Sequence, residues 1–275
     1  MNLFTLEGRT AVVTGASGAL GGAMAAGLAR AGANTVLCYG RNRKGADALK
    51  ARLEQEGVSG RIAVSQVDAA DAEAVAAHAA WVVGEFGQVD ILLNCAGGNV
   101  AAAITGKGKT FFDLELEPLH EVVHLNFFGG CLYPCMYYGK EMAKNTDGGS
   151  IINITSMNTF RPLEGRPGYA ASKAAVTNFT QWLATHVAKE CNPLVRVNAI
   201  APGFIPNART LTSLRNPDGS YTERGQKIIT HTPMGRMGTP EDLVGTCIWY
   251  ASDASRYVTG TVTPVDGGFN AYSGV

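Results

Sequence analysis

The chain has 275 residues, 46% of them hydrophobic, with 23 basic residues balancing 23 acidic ones. That length accommodates one large α/β domain or two small ones with a sizeable core. The charge balance gives no footprint for nucleic acid or an anionic membrane surface.

The opening segment MNLFTLEGRT carries Glu7 and no long apolar run, so no signal peptide is expected. No segment reaches the length of a membrane span, and the expectation is a soluble cytoplasmic protein. Six scattered cysteines (Cys38, Cys95, Cys131, Cys135, Cys191, Cys247) read as buried free thiols of a reducing compartment. Cys131 and Cys135 have helical spacing, which reads as core packing, and no metal site is expected.

Residues 10–14 (TAVVT) form a short apolar run, the signature of a buried parallel strand. A glycine-rich stretch containing Gly15, Ser17, Gly18, Ala19, Leu20 and Gly21 follows, then an Ala-rich helix over about residues 20–31. Strand, glycine loop and helix N-terminus together make an anion site, where backbone N–H groups and the helix dipole meet a phosphate. Residues 34–39 give a second strand, and the side chains beyond Gly40 are Arg41, Asn42, Arg43 and Lys44. An acidic residue there would accept from a ribose 2′-hydroxyl; a basic cluster instead favours a 2′-phosphate, so NADP is preferred, with NAD the alternative.

A helix over about residues 44–55 and a strand over 61–67 lead to Asp68, placed to accept from an adenine amino group. Residues 71–86 read as an amphipathic helix with Trp81, Val82 and Phe86 inward and His78 at the surface. A fourth strand, 89–93, ends in Asn94, Cys95, Ala96 and Gly97, small enough for a flat cofactor to lie against the backbone. Residues 99–118 read as a long surface loop. A long apolar helix over 121–142 carries one misplaced amide, Asn126, which predicts a kink or a held water; His120 and His124 read as packing or surface residues.

The fifth strand, 150–155, opens onto Ser156, and a helix running to about residue 189 carries Tyr169 and Lys173. Four apart, these two share one helix face. A phenol of pKa about 10 needs roughly 4 kcal/mol of help to exchange protons near pH 7, and a nearby ammonium supplies part of it. With Ser156 hydrogen-bonding a substrate oxygen, the set suits carbonyl reduction or alcohol oxidation. A lone Y-x-x-x-K arises by chance on helices; its weight comes from the rest of the chain. The sixth strand, 193–200, runs into Pro202 and Gly203, with Ile205 beyond, where a nicotinamide would sit. Residues 207–229 form a loop and short helix with Arg209, Arg215 and Arg224; a helix over 239–252 and a seventh strand over 261–265 complete the chain. The alternation predicts an α/β single-domain Rossmann fold over 1–275, a doubly wound seven-stranded parallel sheet with helices on both faces and a substrate loop at about 203–232.

With these motifs in place the chain resembles the short-chain dehydrogenase/reductases over nearly its whole length. The resemblance implies a catalytic tetrad of Asn126, Ser156, Tyr169 and Lys173. In it Tyr169 is the general acid/base and Ser156 polarises the carbonyl. Lys173 binds the nicotinamide ribose and lowers the pKa of Tyr169, and Asn126 holds a relay water. Ala19 departs from the usual glycine, and Asn207 or Thr210 replaces the usual threonine after Pro202-Gly203.

The strings SMNTFRPL (156–163), TPMGRMGTPEDLVGT (232–246) and VDGGFNAYSGV (265–275) are similar to D-mannonate oxidoreductases of this superfamily. That likeness implies interconversion of D-fructuronate and D-mannonate, with gluconate 5-dehydrogenation, neutral ketose reduction and non-catalytic NAD(P) sensing as alternatives. A sugar-acid carboxylate needs a cationic pocket; Arg161, Arg166 and Arg209 are the candidates, with Asn158 for hydroxyls. Family likeness also implies a homotetramer paired through the two long helices.

Overall fold

The computed structural model describes residues 2–106, 108–207 and 210–274. Its centre is a seven-stranded parallel sheet in the order β3-β2-β1-β4-β5-β6-β7. The strands are β1 (Thr10–Thr14), β2 (Asn34–Tyr39), β3 (Ile62–Gln66), β4 (Ile91–Asn94), β5 (Gly149–Ile154), β6 (Val195–Pro202) and β7 (Val262–Val265). The helices are α1 (Ala19–Arg30), α2 (Arg43–Gln55), α3 (Ala72–Phe86), α4 (Leu116–Val123), α5 (Tyr133–Met142), α6 (Pro167–Glu190), α7 (Glu223–Thr230) and α8 (Val244–Ala251).

Every residue of β1 and β6 is buried, as expected of strands covered on both faces, while the edge strands β3 and β7 are half-exposed. Alternation along the strands sorts their side chains into two layers. Val13, Leu93 and Ile152 join Leu28, Leu53 and Tyr250 under α1, α2 and α8. Val12, Leu92 and Ile151 join Val82, Tyr138 and Val187 under α3, α5 and α6.

The strand order reverses between β1 and β4, and ligands of such sheets bind where the carboxyl ends diverge at that point. Here Thr14 Oγ1 accepts from the N–H groups of Cys95 and Ala96, at 3.1 and 3.2 Å, tying the two diverging strands together. Gly15 makes the turn at φ 68°, and any side chain on it would meet the Ala96 nitrogen at 2.9 Å.

Several elements differ from the sequence reading. His78, expected at the surface, is buried, and its Nδ1 lies 2.7 Å from the Tyr138 hydroxyl. Trp81, expected inward, is 39% exposed. The pattern on α3 admits a small rotation, and packing against α5 selects the His78 face. Cys191 is exposed beyond α6. The 99–118 segment contains two short 3-10 turns, and α4 begins inside it at Leu116. The kink expected at Asn126 takes the form of a π-helical segment, His124–Leu132, joining α4 to α5. The last helix begins as a 3-10 turn at Pro240–Leu243.

Candidate active site

The carboxyl ends of the central strands open into a cleft of about 540 Å³, lined by residues from the loops after β4, β5 and β6 and by α6 and α7. At one side lies the N-terminus of α1. Asn42, Asp71 and Thr222 cap α2, α3 and α7 with their side chains, whereas the α1 cap is Gly18, with no side-chain bond and no acidic residue in the first turn. The first-turn N–H groups at Ala19, Leu20 and Gly21 therefore remain available to an anion. Ala19 is exposed here, so its extra methyl is accommodated.

Ser17 and Asn42 meet through an Asn42 Nδ2 bond of 3.2 Å to the Ser17 carbonyl, which joins the glycine loop to the loop after β2. Arg41 is exposed with no side-chain partner among the described residues, and Arg43 pairs with Asp47. Asp68 is exposed beyond β3 and accepts from the Ala70 N–H at 3.0 Å. Asn94 is buried, its Nδ2 bonded to Asn153 Oδ1 at 2.9 Å, so it holds β4 to β5 and does not face the cleft. Pro202, Gly203 and Ile205 form part of the cleft floor, and the Asp266 backbone packs so closely on Gly203 that a Cβ there would meet it at 2.6 Å. An uncapped helix start, tight glycine bends and a free Arg41 at the adenosine end fit a nicotinamide dinucleotide.

The polar centre is built by β5 and α6. Ser156 follows β5 and lines the cleft with Tyr169, and its Oγ accepts from the Asn158 N–H at 3.2 Å. Lys173 is buried, with its Nζ 2.7 Å from the Ile154 carbonyl and 5.7 Å from the Tyr169 ring centre. Asn126 is fully buried. Its Nδ2 donates to the carbonyls of Gly98 and Val122 at 2.7 and 2.8 Å, and its Oδ1 accepts from the Gly98 N–H at 3.1 Å. Both amide donors are thus spent on backbone, which clasps the π-helical segment to the loop after β4. Gly97 is pressed into this clasp, where a Cβ would lie 2.8 Å from Asn126 Oδ1.

The electrostatics depart from the sequence expectation. Burial raises the Tyr169 phenol above its ordinary value; the Ser156 hydroxyl and the Arg166 charge pull it back, and the Cys95 thiol opposes them. Burial also lowers the Lys173 ammonium. Desolvation outweighs the attraction expected between this pair, because both groups are withdrawn from water. Tyr169 is consequently a neutral phenol at neutral pH.

A family profile described as enoyl-(acyl carrier protein) reductase matches residues 15–270. The chain belongs to the short-chain dehydrogenase/reductase family. It is an oxidoreductase of that family. The uncharacterized oxidoreductase UxuB of Bacillus subtilis is 42% identical over 98% of both chains. A crystal structure of a candidate D-mannonate oxidoreductase from Haemophilus influenzae, with bound NAD, is 38% identical, covers 98% of both chains and superposes with a TM-score of 0.89. A candidate NAD(P)-dependent gluconate 5-dehydrogenase from Beutenbergia cavernae, with NADP at low occupancy, is 36% identical over 98% of this chain and 100% of its own, with a TM-score of 0.83.

Of the residues assigned to substrate, Ser156, Asn158 and Arg166 line the cleft. Arg161 does not: it is exposed and its Nε donates to the Asn270 carbonyl at 2.9 Å, fastening the C-terminal segment. Arg209 lies outside the described residues. Asn207 and Thr210 both reach the cleft. Arg224, which lies in the expected substrate loop but not among the carboxylate candidates, also lines it. No motif spacing marks Arg224, because the path of the chain after β6 brings it there.

Proposed function

We propose that the protein interconverts the ketone and alcohol forms of a sugar acid, D-fructuronate and D-mannonate, with a nicotinamide cofactor, NADP in preference to NAD. The observation that carries the chemistry is the convergence of Ser156, Tyr169 and Lys173 on one cleft, with the Lys173 ammonium one helical turn from the phenol. The substrate class is supported by the sugar-acid names of the two solved relatives.

The loop at Gly15–Gly21, with Arg41 and Asn42 at its adenosine end, would hold the dinucleotide, and the cofactor supplies the hydride when bound. The chain's own residues manage the proton. A ketone oxygen placed between Ser156 and Tyr169 accepts two hydrogen bonds. As that oxygen gains negative charge, the Tyr169 phenol transfers its proton to it, so C=O becomes CH–OH. The neutral state of the phenol suits it to donate in this direction. Oxidation runs the same proton backwards. Lys173, anchored on the Ile154 carbonyl, keeps its remaining N–H donors for the cleft and stabilises the phenolate left behind. Asn126 is a positioning residue that sets the Gly97–Gly98 edge.

The segment at residues 203–232 serves as the substrate loop of a single domain. Met136 on α5 and Trp182 on α6 are 54% and 55% exposed, and these uncovered apolar side chains support pairing of copies into a homotetramer. Gluconate 5-dehydrogenation is the second reading, favoured by the Beutenbergia relative. A panel of keto sugar acids and neutral ketoses, each with NADH and NADPH, tests the proposal. Turnover of D-fructuronate with NADPH is the expected result. Failure on every keto sugar acid, with or without turnover of a neutral ketose, overturns it.

A further inference from the structure

Three cations line the cleft, Arg166, Lys173 and Arg224, and no aspartate or glutamate does so among the described residues. Lys173 belongs to the reacting centre. Of the other two, Arg166 is one of the carboxylate candidates and Arg224 has no assigned task. Arg166 is the residue before α6, three positions from Tyr169, and Arg224 lies in the first turn of α7. Neither makes an ion pair or a side-chain hydrogen bond among the described residues. Their charges nevertheless reach each other. Burial, and then the charge of Arg166, hold the Arg224 guanidinium below its ordinary value; Glu164 acts in the opposite sense without forming an ion pair.

Two half-buried guanidiniums that repel each other are an unfavourable arrangement unless an anion lies between them. The fold nevertheless holds Arg224 in place. Ile228 of α7 is buried with Leu214 and Met237 in a small apolar cluster, and Thr222 caps the helix start by accepting from the Gly225 N–H at 3.1 Å.

A second observation points to the same kind of ligand. Asn158 is 4% exposed and lines the cleft. Its Oδ1 accepts from the Leu163 N–H at 2.8 Å, but its buried Nδ2 has no partner. An orphaned buried donor beside two unpaired guanidiniums calls for an acceptor-rich anion.

We infer that Arg166 and Arg224 together form a carboxylate subsite, with the Asn158 amide donating to the same substrate, and that this subsite selects acidic over neutral substrates. The inference rests on the sugar-acid reading above. It assigns the selectivity to two elements far apart in sequence: the residue preceding the catalytic helix and a helix of the substrate loop.

The test is steady-state kinetics of R224M, R224K and R166M on the keto sugar acid that the wild type turns over, with the NADPH Kd measured in parallel. Losing one charged hydrogen-bonding group raises KM for the acid about 10- to 100-fold in R224M and R166M. R224K, which keeps the charge but loses the planar fork, recovers part of that loss. Arg166 also acts on Tyr169, so R166M moves the alkaline limb of the pH profile upward, and R224M moves it less. The NADPH Kd stays within about twofold, the scatter of a binding titration and well below the tenfold step that 1.4 kcal/mol represents. An unmoved KM in R224M overturns the inference alone, as does a rise in NADPH Kd that parallels KM, which would assign the guanidiniums to the cofactor. Wild-type inactivity on every keto sugar acid overturns the functional reading, and the subsite with it.

Discussion

Lys173 donates from inside the protein to the Ile154 carbonyl, 2.7 Å away at the end of β5. A second bond runs the other way, from Thr155 Oγ1 to the Lys173 carbonyl at 2.8 Å. Ile154 precedes Ser156 on the strand end and Lys173 follows Tyr169 on the helix, so these two bonds set the register of α6 against β5. That register brings the Ser156 and Tyr169 hydroxyls together. The lysine therefore has a structural task besides any contact with a cofactor.

Replacing Tyr169 by Phe removes the donated proton and keeps the ring. Turnover falls about 10²- to 10⁴-fold, the usual contribution of a positioned acid or base. Cofactor affinity, read by NADPH fluorescence titration, changes little. In the wild type, reduction is flat through neutral pH and declines only at alkaline pH, because burial raises the phenol's pKa and keeps it protonated. Full activity in the Phe variant would remove Tyr169 from the mechanism.

Asn126→Ala leaves the Gly98 N–H and the carbonyls of Gly98 and Val122 without their side-chain partner. The cost is about 3 kcal/mol, the upper end for an unsatisfied buried group, since three bonds are lost at once. Urea denaturation reads this loss. The Gly97–Gly98 edge also loosens, so cofactor Kd rises together with the fall in kcat. A variant as stable as the wild type, with unchanged cofactor Kd, would show that the clasp is dispensable.

Arg41→Ala separates the two dinucleotides. The side chain is exposed and unpaired beside the adenosine end, so it is free for a 2′-phosphate. KM for NADPH rises about 10-fold or more, the value of one charged hydrogen bond, while KM for NADH moves little. Equal effects on both cofactors would refute a role in phosphate recognition.

His78 makes stability pH-dependent. Burial pushes its imidazole down to about 4, against an ordinary value of 6.5. Between those values the unfolded chain binds a proton that the folded chain does not, so stability is full above about pH 6.5 and is lost as pH falls toward about 4. The contribution between pH 7 and 5 is about 2 kcal/mol. His78→Gln keeps a polar partner for Tyr138 and abolishes this term. Denaturation curves at the two pH values compare the slopes, and an unchanged slope in the variant would refute the assignment.

The sheet was legible because β1, β2, β4 and β6 are apolar runs closed by small residues or turn residues, a pattern that leaves little choice of structure. The Ser156, Tyr169 and Lys173 constellation was legible because its members lie on adjacent elements with a short connection. His78 was misread because an Ala-rich helix such as α3 presents several faces of similar apolarity, so only its packing partner selects one. Arg161 and Arg224 exchanged places for a related reason. Proximity in sequence to Tyr169 favoured Arg161, but its side chain turns to Asn270, while α7 carries Arg224 back across the strand ends.

By itself, the order of apolar runs, glycines and paired residue types determined a parallel α/β sheet, an uncapped helix start after a glycine turn, and a phenol one helical turn from an ammonium. These rest on local backbone geometry and on side-chain chemistry that travels with the residue. Only the tertiary structure decided which cations share the cleft and whether burial or a neighbouring charge governs the Tyr169 proton. Desolvation and through-space charge depend on what surrounds a group, and that is set by how distant segments pack.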